Sequence, residues 1–465
     1  MVSLADAVLQ ENIEGVKQLL RYGDDVNQID EYGFTPLIEA AIVDNIPISK
    51  LLLSQYANPN MQDVTGGTAL HWAAENKNSE LIKLLLGYHA NPNAYNLAGQ
   101  SVLVMPTLRH ETALRQQLIY AGADQVFAQD YINTKLLGHM FELVGTANIV
   151  DRDNKFVEVD FEGFLLEITL GLISDSLAQF RNHFAARQLR RYSGIAHFIV
   201  EAIQRASRLI KYQQYRVDTK KYRDDIESLI QQDPLVIPVG YEGHAITFIR
   251  YGNIWTKCDR REDSRLYDNI MFYQIRHKEQ MTVELMKRLI YEKQDSQFIN
   301  QELDRILGLV PITELKVEAQ ISGNCSWANV EAIIPALFFL VMMQINKDMQ
   351  GQAYYKTLAL NFFHRWREWN KDRALSYCIQ SYREGDPLRK ATKAEILAAI
   401  LFQRCDPGNP NDQVRIENIL SILIKSPYEY ILKNYLRVYY YESHTAEGKR
   451  FAELLRQNGY VQKTK

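Results

Sequence analysis

Three side chains in this 465-residue sequence could together do nucleophilic chemistry: His244, Asp259 and Cys325. His244 follows a glycine and opens one apolar run, and Asp259 closes the next, so the stretch from Gly243 to Asp259 reads as a hairpin. A two-residue turn at Tyr251-Gly252 sets His244 directly opposite Asp259; one at Gly252-Asn253 makes them diagonal neighbours. Both registers put the pair on one face, whereas a three-residue loop would separate them. On a shared face the carboxylate accepts the imidazole N–H, fixes the tautomer and supports a transient imidazolium. Cys258 then points to the opposite face as a packing residue. Cys325 follows Ser322-Gly323-Asn324 and begins a helix, where unpaired backbone N–H groups favour a thiolate. It is the candidate nucleophile, with His244 as base and Asp259 as orienter. Its own backbone N–H and the Gln320 side chain are candidate oxyanion donors, and Asn324 is the competing one. Taken singly, a Cys in an apolar helix packs and a strand His hydrogen-bonds. The conjunction points to chemistry.

These residues need a sheet and a helix to hold them. Runs rich in Val, Ile, Phe and Tyr, broken by Gly and Asn, predict antiparallel strands over 235–241, 244–251, 254–259 and 269–276, with a further strand at 314–321. The run 328–344 is apolar all round, the mark of a buried helix. Residues 130–230 read as mostly helical (164–184, 195–212), with a short strand-like piece at 156–159. Helices return at 283–291 and 297–307, and the last 120 residues are helical before a polar tail.

A 33-residue repeat occupies the first quarter. Gly33-Phe34-Thr35-Pro36-Leu37, Gly66-Gly67-Thr68-Ala69-Leu70 and Gly99-Gln100-Ser101-Val102-Leu103 share one period, and Asn27, Asn60 and Asn93 repeat it in a second phase. This is the ankyrin signature, in which Gly makes the turn, Thr caps the inner helix and Leu/Ala positions pack between units. Residues 1–28 read as a cap, and Pro106 marks a degenerate fourth unit. Such an array binds a protein on its concave face. Tyr32, Glu39, Trp72 and Glu75 are the expected contacts, being variable positions expected to lie outside the inter-repeat core. His71 sits at the consensus histidine and reads as a structural hydrogen-bonder.

Composition narrows the rest. With 46% apolar and 23% charged residues and a net charge of −3, the chain is of ordinary globular composition, long enough for two to four domains. Residues 1–126 carry seven Lys/Arg against fourteen Asp/Glu, a local charge of −7, which disfavours nucleic acid as a direct ligand and suits a basic protein surface. The basic stretches 187–191 and 211–223 read as solvated helix faces. Four dispersed cysteines, without paired-Cys spacing, suggest reduced thiols. No metal or cofactor is expected: there is no H-x-x-x-H, no P-loop, and no G-x-G-x-x-G after a strand. No signal peptide, anchor or membrane span is expected, the most apolar run, 333–343, being short for one.

The stretch 235–244, the hairpin ending Cys258-Asp259, and Gly323-Asn324-Cys325-Ser326-Trp327-Ala328-Asn329 resemble the papain-like cysteine hydrolase cores of bacterial effectors. With ankyrin repeats in front, the chain is similar to ankyrin-repeat effectors injected into host cells. The order His, Asp, Cys, with Gln shortly before Cys, is that of the adenain and SUMO-protease group. Ser326 replaces that group's usual Gly, and Gln320 lies one residue closer to the Cys. The resemblance implies an α+β fold: an ankyrin solenoid at 1–126, a helical connecting region at 127–232, a papain-like core at 233–346 and a helical region at 347–465. It implies Cys325 as nucleophile, His244 as general base, Asp259 as orienter and Gln320 as oxyanion donor. It also implies secretion into a host cell by a specialised system, to cytoplasm or nucleus, where the repeats recruit a host protein. Three functions fit these residues: a cysteine protease or isopeptidase, an acyltransferase on the same core, and a scaffold without turnover.

Overall fold

The structure, a computed structural model, describes residues 3–460 except 214–218, 261–268, 321–323, 347–350 and 426. The Ser322-Gly323 turn, the end of the strand expected to reach Ile321, part of the basic stretch 211–223 and the polar tail at 461–465 lie outside the described residues. The chain forms two compact units. One comprises Met1–Leu136, Gly145–Asp160 and Cys378–Ile396; the other comprises Leu137–Val144, Phe161–Tyr377 and Leu397–Lys465.

In the first unit four helix pairs succeed one another: Leu4–Leu9 with Ile13–Arg21, Pro36–Ile42 with Ile46–Ser54, Ala69–Glu75 with Ser79–Gly87, and Val104–Leu108 with Thr112–Tyr120. Both phases of the repeat have a physical cause. The glycines adopt positive φ (85° at Gly33, 79° at Gly66, 76° at Gly99), and each lies against the next unit: a Cβ on Gly33 would strike Val64, and one on Gly66 would strike the backbone of Leu97. The asparagines form a ladder, the Oδ1 of Asn27, Asn60 and Asn93 accepting the backbone N–H of Asn58, Asn91 and Asp124 at 2.8, 2.7 and 2.7 Å. At the fourth unit Pro106 lies in an inner helix of only five residues.

Beyond the fourth unit the strand-like piece expected at 156–159 is a strand, and it has a partner that was not expected. Thr146–Val150 (β1) pairs antiparallel with Phe156–Asp160 (β2). A Cβ on Gly99 would meet Val157 and the Glu158 carbonyl of β2, so this hairpin occupies the place that the next repeat's loop takes at the earlier glycines. The stretches 145–160 and 378–396 therefore group with the repeats rather than with the helical regions 127–232 and 347–465; Lys393, from the second stretch, pairs with buried Asp130. Only β2 was legible, because β1, Thr-Ala-Asn-Ile-Val, lacks apolar alternation.

The second unit carries a five-stranded antiparallel sheet in sequence order: Leu235–Tyr241 (β3), His244–Tyr251 (β4), Ile254–Cys258 (β5), Ile270–Gln274 (β6) and Val310–Leu315 (β7). β7 begins before the expected 314–321 span and shares only Glu314 and Leu315 with it. It is an edge strand that carries Pro311 at a register shift against β6, where a missing N–H is tolerated. Past the end of β7, the N–H of Gln320 donates to the carbonyl of Arg260 at 2.8 Å. The helix Cys325–Ile345 is 78% buried over its most apolar window. It is long and apolar enough to cross a membrane, but Ile333, Ile334, Leu337, Phe338 and Phe339 are at most 1% exposed within the protein. Burying each is worth about 1.5–3 kcal/mol, so the apolar surface of this helix is already spent on the core. The helices Leu166–Asn182 and Ser193–Lys211, and Gln352–Glu384 as far as Tyr377, also belong to the second unit.

Candidate active site

The β3–β4 turn consists of Glu242 and Gly243, with φ of 45° and 76°, the positive-φ pair that a tight antiparallel hairpin demands. It makes His244 the first residue of β4, paired with Tyr241. The β4–β5 turn is Gly252-Asn253, since Tyr251 pairs with Ile254 and Thr247 with Cys258. Continued one step, that register sets Asp259 opposite Ile246 and diagonal to His244, on the same face. The side chains meet: His244 Nε2 lies 3.0 Å from Asp259 Oδ1, with both side chains largely buried (13% and 15% exposed). Cys258 points the other way, is fully buried, and has its thiol pKa pushed up by burial.

Cys325 begins the buried helix and is partly exposed, whereas Cys258, Cys378 and Cys405 are buried. A hydrogen bond with His244 is the main influence lowering its thiol pKa. It outweighs the opposing effect of burial, and the backbones of Ala245 and Ser326 add to it. The His244 ring meets both groups, Asp259 through Nε2 and the Cys325 thiol. Sulfur, imidazole and carboxylate thus form a chain drawn from three separate elements. Gln320 is half-buried, and its Oε1 accepts weakly from Asn329 Nδ2 at 3.4 Å.

Sequence reasoning assigned no role to Asn329, the residue that fastens these elements together. It is 1% exposed; its Nδ2 donates to the Ala245 carbonyl at 2.6 Å and its Oδ1 accepts the Arg260 N–H at 2.8 Å. One amide therefore ties the helix that begins at Cys325 to the residue after His244 and the residue after Asp259. Fully buried Arg260 repeats the tie: Nε donates to the Glu318 carbonyl at 2.7 Å, while Nη1 pairs with Glu331 at 2.5 Å and donates to the Ala328 carbonyl at 3.3 Å. Arg367 completes a charged core, pairing with Glu142 and Glu318 at 3.0 Å each and with Glu331 at 3.5 Å. Only the spacing of Asn329 one helical turn beyond Cys325 could have drawn attention to it.

The residues expected to touch a partner fare unequally. Tyr32 is 65% exposed. Glu39 requires correction: it is 5% exposed, because its helix, Pro36–Ile42, is buried at every residue. Trp72 is half-buried and donates Nε1–H to Asp63 at 3.0 Å, and Glu75 pairs with Arg109 at 2.6 Å. His71 accepts the Thr68 N–H on Nδ1 at 3.1 Å and reaches the Gln100 carbonyl through Nε2 at 3.2 Å. Among the described residues no group of three His, Cys, Asp or Glu side chains could hold a metal ion.

Residues 4–96 match the ankyrin-repeat family, in three copies. No curated protein matches the chain. Among solved structures it is similar to that of the Legionella effector AnkH, at 38% identity and a TM-score of 0.87, over 100% of this chain and 99% of that one.

Proposed function

Because the chain belongs to the family of the Legionella effector AnkH, we propose that it is itself a secreted bacterial effector working inside a host cell, as a cysteine hydrolase of the protease or isopeptidase type. The observation carrying this reading is the His244–Asp259 contact at 3.0 Å together with a Cys325 thiol held below its ordinary pKa by His244. In the reaction, Cys325 Sγ attacks a substrate carbonyl carbon and forms an S–C bond. His244 delivers a proton to the departing amine, and water assisted by His244 then releases the acid and the free thiol. Asp259 keeps Nε2 protonated and supports the imidazolium, and Gln320 is assigned to the oxyanion from the family resemblance. The ankyrin region 1–126 recruits the host protein with Tyr32 as its exposed contact, 233–346 is the papain-like core, and 127–232 and 347–465 are supporting regions.

A cysteine-directed electrophilic activity probe tests this on the full chain. Labelling of wild type and not of Cys325→Ala is expected. Equal labelling of both rules out a uniquely activated Cys325. Cellular effects that survive Cys325→Ala but vanish on substitution of Tyr32 would make the protein a scaffold, and acyl-CoA-dependent lysine acylation without cleavage would make it an acyltransferase.

A further inference from the structure

The residue before the nucleophile departs from the ordinary behaviour of its position. Asn324 stands at the N-cap of the helix that begins with Cys325, where an asparagine side chain normally accepts a helix N–H. It makes no such bond. Its Oδ1 instead accepts from Nδ1 of His139 at 2.8 Å. His139 is 1% exposed, stacked on Trp327 at 5.3 Å between ring centres with 4° between planes, and lies 5.2 Å from the Phe164 ring. The imidazole is thus clamped, and with it the orientation of the amide. Asn324 is itself 5% exposed, and its Nδ2 has no hydrogen-bond partner among the described residues. Buried amide donors are rarely left bare, since each forfeits its hydration. A bare donor on the residue adjoining a nucleophile has a use when an oxygen nearby acquires negative charge.

We propose that Asn324 Nδ2 is an oxyanion donor of the Cys325 site, aimed by His139 through Oδ1. This rests on the thiol-acylation reading above. As the S–C bond forms, the carbonyl π pair moves to oxygen, and Nδ2–H donates to it. When the oxygen pair returns, the leaving group departs and the donor is bare again. Asn324 would be a catalytic residue and His139 a positioning residue.

Two reactions of Cys325 in the full-length protein separate this role from any other. Acylation by p-nitrophenyl acetate, read as the nitrophenolate burst, passes through an oxyanion; alkylation by iodoacetamide, a direct displacement, does not. Asn324→Ala is expected to slow acylation about 100-fold or more, the usual loss for one such donor, with alkylation within about twofold of wild type. Asn324→Asp, isosteric and able to keep the His139 bond, should lose acylation likewise, which guards against misfolding of the Ala variant. His139→Ala should lower acylation selectively, and His139→Asn, with a donor near the Nδ1 position, should recover it. Unchanged acylation in both Asn324 variants, or acylation and alkylation falling by the same factor, overturns the proposal while leaving Cys325 a nucleophile. A wild-type Cys325 that alkylates no faster than free glutathione overturns the reading of the site and the proposal with it.

Discussion

Replacing Asn329 by alanine should loosen the link between the helix that begins at Cys325 and the two strands beside His244 and Asp259. The substitution strands the Ala245 carbonyl, now bonded at 2.6 Å, and the Arg260 N–H, now bonded at 2.8 Å. Both residues are buried. A buried polar group deprived of its partner costs about 1–3 kcal/mol, so two of them set a loss of about 2–6 kcal/mol, towards the lower end if water enters the vacated space. Urea unfolding followed by tryptophan fluorescence is a suitable assay, because Trp255, Trp327, Trp366 and Trp369 all belong to the unit that holds Asn329. The midpoint should fall with the slope unchanged. Asn329→Asp should recover only the Arg260 half, since a carboxylate accepts the N–H but donates nothing to Ala245. A loss of less than about 1 kcal/mol in Asn329→Ala, below the cost of even one stranded group, would refute the claim that this amide joins the elements.

Other perturbations arise from the same geometry. Among the described residues, Arg367→Met leaves the Glu142 and Glu331 carboxylates paired only with Arg260 in a buried setting, and should cost about 3–5 kcal/mol in the same unfolding assay. A Cβ at Gly163 would lie 1.9 Å from Ser326 Oγ, so Gly163→Ala should destabilise by about 1–3 kcal/mol. Adding Ser326→Gly should recover most of that loss, as a double-mutant cycle would show. Burial lowers the His71 pKa from 6.5 to about 4, so between these values the unfolded chain binds the proton that the folded repeat refuses. Stability of the ankyrin unit should therefore rise with pH across about pH 4 to 6.5, by up to about 3 kcal/mol. Circular dichroism melts should lose that slope in His71→Gln.

Local chemistry and periodicity made much of the architecture legible. The repeat glycines and asparagines announced themselves because each performs the same contact in successive units, and β4 and β5 were visible because Gly252-Asn253 enforces a two-residue turn between β-branched and aromatic runs. Hairpin parity alone places His244 and Asp259 on one face, and the structure adds the 3.0 Å contact. Strand β1 escaped because its residues do not alternate; its partner β2 is the strand that lies against Gly99. Asn329, His139 and the Arg260–Arg367 core escaped for another reason: their partners lie far away in the chain, 49 residues for Arg367 and Glu318, 69 for Arg260 and Asn329, and 225 for Arg367 and Glu142, and no local pattern encodes such distances. Glu39 misled because a charged residue in a repeat reads as surface, whereas its helix is enclosed on all sides.

The chemistry of the site depends on whether His244 makes Cys325 an acyl acceptor. Rapid-quench mass spectrometry after mixing with an activated ester should find a thioester on Cys325 of the wild-type protein that forms and then hydrolyses, and little or none in His244→Ala. A thioester appearing at the same rate in both proteins would contradict it.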